Sequence, residues 1–285
     1  MSSDVAVRID RVGKRYGRHW ALRDCTLSLP AGRVIALVGA NGAGKTTLLH
    51  LATGLMPPTE GTVSLLGTPL RPDRPQTLSQ VGFVAQDHPL YSGFTVAEML
   101  RYGRKTNARF DQAGAERRLR DLGIPLKRKT GRLSGGQQAQ VALTLALAKQ
   151  PRLLVLDEPV ASLDPLARRE FMKTLIAAVA ETDVTVLLSS HVVTELERVC
   201  DYLVLLRDGQ VRLAGDIDDL LAGHRVLSGP RVDDAALDGL VAATHGDRNS
   251  HLLVRQPATA PTHPRWEAHP VNLEDLVLAY LEGQD

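Results

Sequence analysis

The sequence predicts an α/β fold whose core sheet is mostly parallel. Short, nearly continuous apolar runs occur at residues 33–38, 153–156 and 184–188, and such runs are typical of parallel strands buried on both faces. Segments with helical spacing separate the runs, and strands that alternate with helices favour a parallel sheet. A chain of 285 residues is long enough for one large domain and a small appendage.

The elements around these runs follow from local patterns. Residues 5–12 and 24–29 alternate apolar and polar side chains, which indicates two strands near the N-terminus. A helix is expected from about residue 45 to 53. Residues 202–206 form another strand pattern, and the turn Asp208-Gly209 predicts residues 210–214 as its hairpin partner.

Two later regions differ from this pattern. Helical spacing dominates residues 90–149 and predicts a helical insert with helices at 95–103, 111–122 and 135–149. We expect residues 1–221 to form one domain and residues 222–285 a small C-terminal accessory region. In that region the pattern predicts one strand, at 251–254, and a final helix that Asn272 caps. The apolar face of this helix contains Leu273, Leu276, Val277, Tyr280 and Leu281.

Composition limits the classes of function. The net charge of +2 gives no reason to expect a nucleic-acid partner, and we expect the basic clusters at 127–129 and 168–169 to belong to a mixed, solvated surface. The two cysteines do not have metal-ligand spacing and form no disulfide framework. No apolar run approaches the roughly 20 residues that span a bilayer, and no secretory signal is visible. We therefore expect a cytoplasmic protein whose membrane role, if it has one, comes through a partner.

A glycine-rich segment lies between the first buried run and the predicted helix, and it matches the Walker A pattern in full. Glycines let backbone N–H groups surround a polyphosphate, and the helix N-terminus adds partial positive charge. We expect Lys45 to reach the β- and γ-phosphates and Thr46 to place its hydroxyl on Mg²⁺. An ordinary glycine turn would not explain Lys45-Thr46. The expected nucleotide-binding residues are Gly39, Ala40, Asn41, Gly42, Ala43, Gly44, Lys45, Thr46 and Thr47.

Two acids end the second buried run. Asp157 lies at the carboxyl end of the predicted strand, where open α/β sheets bind ligands. It fits the Walker B role of holding Mg²⁺, and Glu158 could polarise a water in line with the γ-phosphate. Taken alone, an acid pair that starts a turn before Pro159 would be the simpler interpretation. The complete Walker A upstream favours the catalytic one.

A third motif precedes the predicted helix at 135–149. Ser134 suits an N-cap, and two glycines expose N–H groups at the helix start; a simple capped helix is the alternative. The motif is identical to the ABC signature and reads Leu133-Ser134-Gly135-Gly136-Gln137. With Walker A and Walker B in the family's order, residues 5–220 resemble the ATP-binding subunits of ABC transporters.

The resemblance implies a P-loop NTPase fold of ABC type, with an N-terminal antiparallel β-subdomain and a helical subdomain at about 90–149. It also implies a dimer, expected to be a homodimer, that sandwiches two ATP molecules head to tail. Ser134, Gly136 and Gln137 would then contact ATP held by the opposite chain, and Ser162-Leu163-Asp164 would lie at the dimer seam as the D-loop.

The resemblance assigns catalytic roles as well. Glu158 would be the catalytic base, His191 would contact the γ-phosphate, and Lys45 would complete the catalytic set. The implied metal ligands are Thr46, Gln86 and Asp157. Tyr16 would stack on adenine, although Trp20 lies nearby as an alternative. The expected cofactors are ATP and Mg²⁺.

The expected partner is a transmembrane permease that docks near residues 86–91, where Leu90 and Tyr91 could meet a helix of the partner. The protein would therefore lie at the inner face of the cell membrane. The resemblance leans toward exporters of the ABC-2, antibiotic or multidrug type, and the C-terminal helix is common in those subunits. An importer subunit and a soluble, non-transport ABC ATPase remain alternatives.

Overall fold

The computed structural model describes residues 4–71, 75–231, 238–257, 260 and 263–283. The strands, in chain order, are β1 (Val5–Tyr16), β2 (His19–Pro30), β3 (Val34–Val38), β4 (Glu60–Leu65), β5 (Thr68–Pro69), β6 (Val81–Val84), β7 (Leu153–Asp157), β8 (Thr185–Ser189), β9 (Tyr202–Arg207), β10 (Gln210–Asp216), β11 (Arg225–Pro230), β12 (Leu240–His245), β13 (Asn249–Val254) and β14 (Glu267–Pro270). The helices are α1 (Lys45–Ala52), α2 (Pro75–Leu78), α3 (Val96–Thr106), α4 (Gln112–Asp121), α5 (Gly135–Ala148), α6 (Pro165–Ala180), α7 (Val193–Leu196), α8 (Ile217–Ala222) and α9 (Leu273–Glu282).

Six strands form the central sheet in the order β10-β9-β3-β8-β7-β6. Neighbours from β9 to β6 are parallel, and the edge pair β10–β9 is antiparallel. Every residue of β3, β7 and β8 is buried, which explains their continuous apolar sequences, since both faces of a parallel sheet are covered. The predicted α/β class with a mostly parallel core sheet is confirmed.

A second, antiparallel sheet has the order β2-β1-β4-β5 and forms the predicted N-terminal β-subdomain. Its first two strands extend well beyond the segments that the alternation predicts. The register shifts between Ile9 and Val12, and Arg11 has a positive φ of 45°. Such a bulge interrupts the apolar–polar alternation without ending the strand. The alternation therefore ends at the bulge, although the strand continues beyond it.

The predicted helical insert contains α3, α4 and α5, with a short 3-10 helix, Thr130–Arg132, before α5. Its own apolar core includes Val96, Leu100, Leu119 and Val141. Thr95 and Ser134 form capping boxes that start α3 and α5, and these caps satisfy the first backbone N–H groups of each helix.

The C-terminal region contains a third, antiparallel sheet in the order β12-β13-β11-β14. The strand predicted at 251–254 is confirmed as part of β13, whereas β11, β12 and β14 were not predicted. Polar residues of β11 and β12 form hydrogen bonds to β13. The Ser228 hydroxyl lies 2.9 Å from His251 Nδ1, and the Ser250 hydroxyl lies 2.7 Å from His245 Nδ1. These polar residues interrupt the alternation of apolar and polar side chains by which strands are recognised in the sequence.

The last helix, α9, begins as predicted. The Asn272 side chain accepts a hydrogen bond from the Asp275 amide at 2.8 Å. Leu273, Leu276 and Val277 are buried and belong to the same apolar cluster as Leu154 and Leu156 of the central sheet. No helix in the described ranges combines the length and apolar character needed to cross a bilayer.

Candidate active site

The glycine-rich loop runs from the end of β3 to the start of α1, as predicted. Gly44 immediately precedes the helix with a φ of 103°, a conformation that L side chains rarely adopt. A Cβ at Gly44 would lie 2.6 Å from the Ala21 carbonyl oxygen of β2. The loop is therefore packed closely against the N-terminal sheet, and the first N–H groups of α1 stay free of any capping side chain.

Lys45 occupies the centre of this loop. Its side chain is only 6% exposed, and its ammonium group donates to the carbonyl oxygens of Gly39 at 2.8 Å and Ala40 at 3.3 Å. Nζ also lies 3.6 Å from Glu158 Oε1. The loop thus holds one cation directly opposite the acid that follows β7.

Asp157 and Glu158 are positioned by Ser189 at the end of the neighbouring strand. The register pairs Asp157 with Ser189. The buried Ser189 hydroxyl donates to Asp157 Oδ1 at 2.8 Å and accepts from the Glu158 amide at 2.9 Å. Glu158 has a φ of 43°, which costs a non-glycine residue about 1 kcal/mol or more. The chain turns sharply here, and a single hydroxyl holds both acids at the turn.

His191 approaches the same carboxyl group from the other side. Its Nδ1 lies 3.4 Å from Glu158 Oε2, while Lys45 faces Oε1. The imidazole is half exposed, whereas the Glu158 side chain is mostly buried. The structure therefore brings together three of the predicted site residues at one carboxylate, with Asp157 beside them.

Tyr16 and Gln86 are placed differently from this cluster. Tyr16 is exposed at the end of β1, its hydroxyl donates to Met56 Sδ at 3.1 Å, and Lys14 Nζ lies 5.6 Å from its ring centre. Trp20, the alternative for stacking, is partly buried against Gly13. Gln86 is exposed on the turn after β6. Their expected roles toward adenine and metal stay predictions.

The signature residues form the start of α5. The Ser134 hydroxyl accepts from the Gln137 amide at 3.3 Å, and the Gln137 side chain accepts from the Ser134 amide at 3.2 Å. Gly136 packs against α6, where a Cβ would lie 2.7 Å from the Ala167 Cβ. Ser134 and Gly135 are exposed. An uncovered helix start of this kind suits an anion.

Sequence reasoning missed two residues of the site, Ser189 and His88. Ser189 could have been found, because it ends a buried strand two residues before His191. His88 gave no signal in the pattern. It is 6% exposed, and its Nε2 donates to the Pro159 carbonyl oxygen at 2.9 Å. Burial lowers the pKa of His88, which the hydrogen bond to Pro159 partly offsets. His88 thereby ties the turn that holds Gln86 to the residue after Glu158.

Residues 22–161 match the model of the ABC transporter family. The Nod factor export ATP-binding protein I of Cupriavidus pinatubonensis (strain JMP 134 / LMG 1197) is 34% identical over 297 residues, which cover 95% of this chain and 89% of that protein. The chain belongs to the ABC transporter family. This ABC protein is also 26% identical to the ABC transporter ATP-binding protein YtrB of Bacillus subtilis (strain 168), over 98% of the chain and 99% of the relative.

Other relatives of this ABC protein are named for import. The hypophosphite import ATP-binding protein HtxD of Stutzerimonas stutzeri is 36% identical over 74% of this chain and 67% of that protein. A solved structure described as the ATP-binding subunit of an ABC transporter superposes with a TM-score of 0.68 and 31% identity, covering 75% of this chain and 91% of the other. The fold and the motifs thus define an ATP-binding subunit of an ABC transporter.

The residues of this ABC site fit a magnesium ion. Mg²⁺ prefers hard oxygen ligands and binds through one or two carboxylates together with phosphates and water. Asp157 presents a buried carboxylate that Ser189 orients through one oxygen. Thr46 presents an exposed hydroxyl in the first turn of α1, next to Lys45.

Proposed function

We propose that this chain hydrolyses ATP in order to power transport through a separate permease. The observation that carries this proposal is the position of Glu158, whose carboxyl oxygens face Lys45 at 3.6 Å and His191 at 3.4 Å, beside the glycine-rich loop. A carboxylate in that position can accept the proton of a water that attacks the γ-phosphate.

The remaining residues stabilise charge during phosphoryl transfer. Lys45 and the free N–H groups at the start of α1 balance the negative charge of the phosphates. A magnesium ion held by Thr46 and Asp157, with Gln86 nearby in the bound state, would supply further neutralisation. Ser189 keeps Asp157 and Glu158 in fixed relative positions, and His191 holds Glu158 on the side opposite Lys45.

A second ATP-binding subunit, most simply another copy of this chain, completes each site in this proposal. Ser134, Gly136 and Gln137 lie at an uncovered helix start, and their side-chain hydrogen bonds stay within that start. Two copies arranged head to tail would place this helix start on the phosphates bound by the other copy. Cleavage of the γ-phosphate then adds charge repulsion, and the pair separates.

The permease would dock in an apolar groove between the central domain and the helical insert. Its lining includes Phe83, Leu90, Met99, Phe110 and Leu145. The groove adjoins the turn that contains Gln86, so motion of the insert would reach the ATP site through that turn. In this proposal the protein would lie at the inner face of the cell membrane, and we expect no nucleic-acid partner.

Export is the direction that we propose. The relative named for Nod factor export matches nearly the whole chain, which includes most of the C-terminal region. The relative named for hypophosphite import leaves about a quarter of the chain unmatched. An importer subunit is the second candidate, because the motifs of the ATP site are common to both groups.

The test compares wild type with Glu158→Gln. Purified wild type, with its permease in vesicles, should release phosphate from ATP, and Glu158→Gln should lower turnover by at least about 100-fold, the lower end for loss of a general base. ATP affinity, measured by calorimetry, should remain within a few-fold of wild type. Normal steady-state hydrolysis by Glu158→Gln would rule out Glu158 as the catalytic base. Export is disproved if ATP drives the transported substrate only into the cytoplasmic compartment.

A further inference from the structure

Positive charge is concentrated in the helical insert. Residues 90–149 contain twelve Lys or Arg and four Asp or Glu, a net charge of +8 in a chain whose total is +2. The rest of the chain therefore carries −6. An asymmetry of this size marks the insert as the part of the molecule that attracts anions.

Two segments of the insert bring much of this charge onto one surface. The Val96 amide donates to the Arg128 carbonyl at 3.0 Å, and the Thr130 amide donates to the Phe94 carbonyl at 2.8 Å. Thr95 and Lys129 form an isolated β-bridge. The exposed cations of residues 127–129 consequently lie beside the first turn of α3, whose exposed face carries Arg101 and Lys105.

Three aromatic rings lie on the same surface and contact one another. The ring centres of Tyr91 and Phe94 are 5.3 Å apart, and that of Tyr102 is 5.6 Å from Tyr91. Tyr91 is 57% exposed and Tyr102 is 43% exposed. Exposed apolar patches with a polar rim mark sites of interaction, and the Thr130 hydroxyl joins this patch to the basic segment by donating to the Tyr91 carbonyl at 2.8 Å.

The one acid in these segments, residues 91–105 and 127–132, is already engaged. The Thr95 amide and hydroxyl both donate to the Glu98 carboxylate, at 2.7 and 2.8 Å, and they lower its pKa, with smaller contributions from Arg101 and Lys129. Glu98 thus remains ionised but is surrounded by cations and donors, and the surface as a whole stays positive.

We propose that this surface binds the anionic headgroups of the lipid bilayer directly. We name it the basic–aromatic surface and define it by Tyr91, Phe94, Arg101, Tyr102, Lys105, Lys127, Arg128 and Lys129. Lysine and arginine near an anionic leaflet gain favourable energy from its negative potential. Tyrosine and phenylalanine rings insert at the headgroup level, where one side is wet and the other apolar.

The charge pattern favours lipid over an acidic segment of the permease. Cytoplasmic loops of membrane proteins carry an excess of Lys and Arg, so the permease face next to this surface is expected to be basic too. Tyr102 and Leu90 also line the groove assigned to the permease. That this surface faces the membrane in the assembled transporter rests on the proposed function. Binding of the purified chain to vesicles without permease does not depend on that function.

The experiment measures flotation of the purified full chain with lipid vesicles, without permease or nucleotide. Vesicles of phosphatidylcholine alone are compared with vesicles that contain one third phosphatidylglycerol. We expect binding to the anionic vesicles only. High salt should remove it, because the screening length falls from about 10 Å at 0.1 M to about 3 Å at 1 M.

Variants test which residues are responsible. Lys127→Gln, Arg128→Gln and Lys129→Gln together should weaken vesicle binding about 100-fold, since each cation near the surface contributes about fivefold. The matched control, Arg8→Gln, Arg169→Gln and Lys173→Gln, removes three exposed cations elsewhere and should bind within a few-fold of wild type. In Phe94→Trp, fluorescence should shift further to the blue on addition of anionic vesicles than it does in wild type, whose signal comes from Trp20 and Trp266.

Three results would overturn the proposal. The first is equal binding of the wild-type protein to both kinds of vesicle, and the second is equal weakening of binding in the two triple variants. The third is binding to phosphatidylcholine vesicles that occurs only when permease is present and that the 127–129 variant loses. The last result would identify an acidic permease segment as the partner. Phosphate release from ATP is measured in parallel. If wild type releases no phosphate, the proposed ATPase activity is contradicted, whereas the proposed binding to vesicles is not affected.

Discussion

At the scale of single residues, three parts of the chain meet at one carboxyl group. Glu158 follows β7, Lys45 begins α1, and His191 follows β8. Each of the two carboxyl oxygens faces a different nitrogen. A proton accepted by Glu158 would therefore arrive between a fixed cation and an imidazole, and any residue that shifts Glu158 should change the rate of hydrolysis.

Ser189→Ala tests this positioning. The substitution removes the hydroxyl that bonds Asp157 Oδ1 and the Glu158 amide. Hydrogen bonds to charged groups contribute about 1.5–3 kcal/mol, so we expect a fall in turnover of roughly 10-fold or more. Ser190→Ala is the matched control, because Ser190 is also buried but its hydroxyl bonds only the Val192 amide among the described contacts, and its amide bond to the Leu37 carbonyl stays in the variant. Equal effects of the two substitutions on steady-state turnover would contradict the role of Ser189.

His88 leads to an expectation about pH. Burial lowers the pKa of His88 below its ordinary value of 6.5, so the unfolded chain binds the proton more readily than the folded chain. The stability that neutral His88 contributes is fully present above pH 6.5. It is lost as the pH falls from there toward the lowered pKa of the folded state.

Thermal unfolding at about pH 7.5 and pH 5.5 measures this effect. His88→Gln keeps a donor for the Pro159 carbonyl but does not titrate, so its melting temperature should fall less between the two pH values than that of wild type. His19→Gln removes an exposed histidine and should behave as wild type does. The same fall in all three proteins would remove His88 as a source of the acid sensitivity.

These two residues also show why sequence reasoning stops short of a complete site. The motif residues follow from chemistry that needs particular side chains at a particular spacing, and Lys45, Asp157 and Glu158 were predicted in that way. Ser189 and His88 act by reaching across strands, to Asp157 and Pro159 respectively. Contacts between segments so distant in sequence depend on strand order, which the pattern of one chain does not contain.

At the scale of elements, α9 couples the C-terminal region to the central domain. Leu276 is fully buried within the main apolar cluster. Leu276→Ala should therefore destabilise the protein by about 2–5 kcal/mol. Leu278→Ala is the control on the same helix, since Leu278 is 45% exposed, and it should cost no more than about 0.5 kcal/mol. Denaturant unfolding of the two variants measures the difference, and similar costs would show that α9 is not part of the core.

The elements differ in how well their patterns identify them. β3, β7 and β8 are buried throughout, so their sequences are continuously apolar and were easily found. β6 is a four-residue edge strand and contains Gly82, and four residues are too few to define a period. In the C-terminal sheet only β13 was predicted, and β11 and β12 each contain a polar residue that hydrogen-bonds to β13.

At the scale of the whole molecule, ATP should control the number of chains in the assembly. The signature helix start is exposed, and the proposed site needs it on a second chain. We expect purified Glu158→Gln, with ATP and Mg²⁺, to double its mass from 30.9 kDa, because in the proposed mechanism this variant would bind ATP without cleaving it. Light scattering after size-exclusion chromatography measures the mass.

Ser134→Glu is the matched variant for this experiment. It places a negative charge where the opposite chain's phosphates would lie, so it should keep the Glu158→Gln protein monomeric in ATP. A dimer that forms equally well with Ser134→Glu would contradict the sandwich arrangement. A Glu158→Gln protein that binds ATP and stays monomeric at high concentration would contradict it as well.

The shared core of the central sheet and α9 has a consequence during synthesis of the protein. Leu154 emerges from the ribosome about 120 residues before Leu276, and at 5–20 residues per second the delay is on the order of ten seconds. Throughout that interval the nascent chain lacks the residues of α9 that complete the apolar cluster containing Leu154. We infer that the cell has to shield this surface until translation is nearly complete, so slowing elongation over residues 222–272 should increase aggregation.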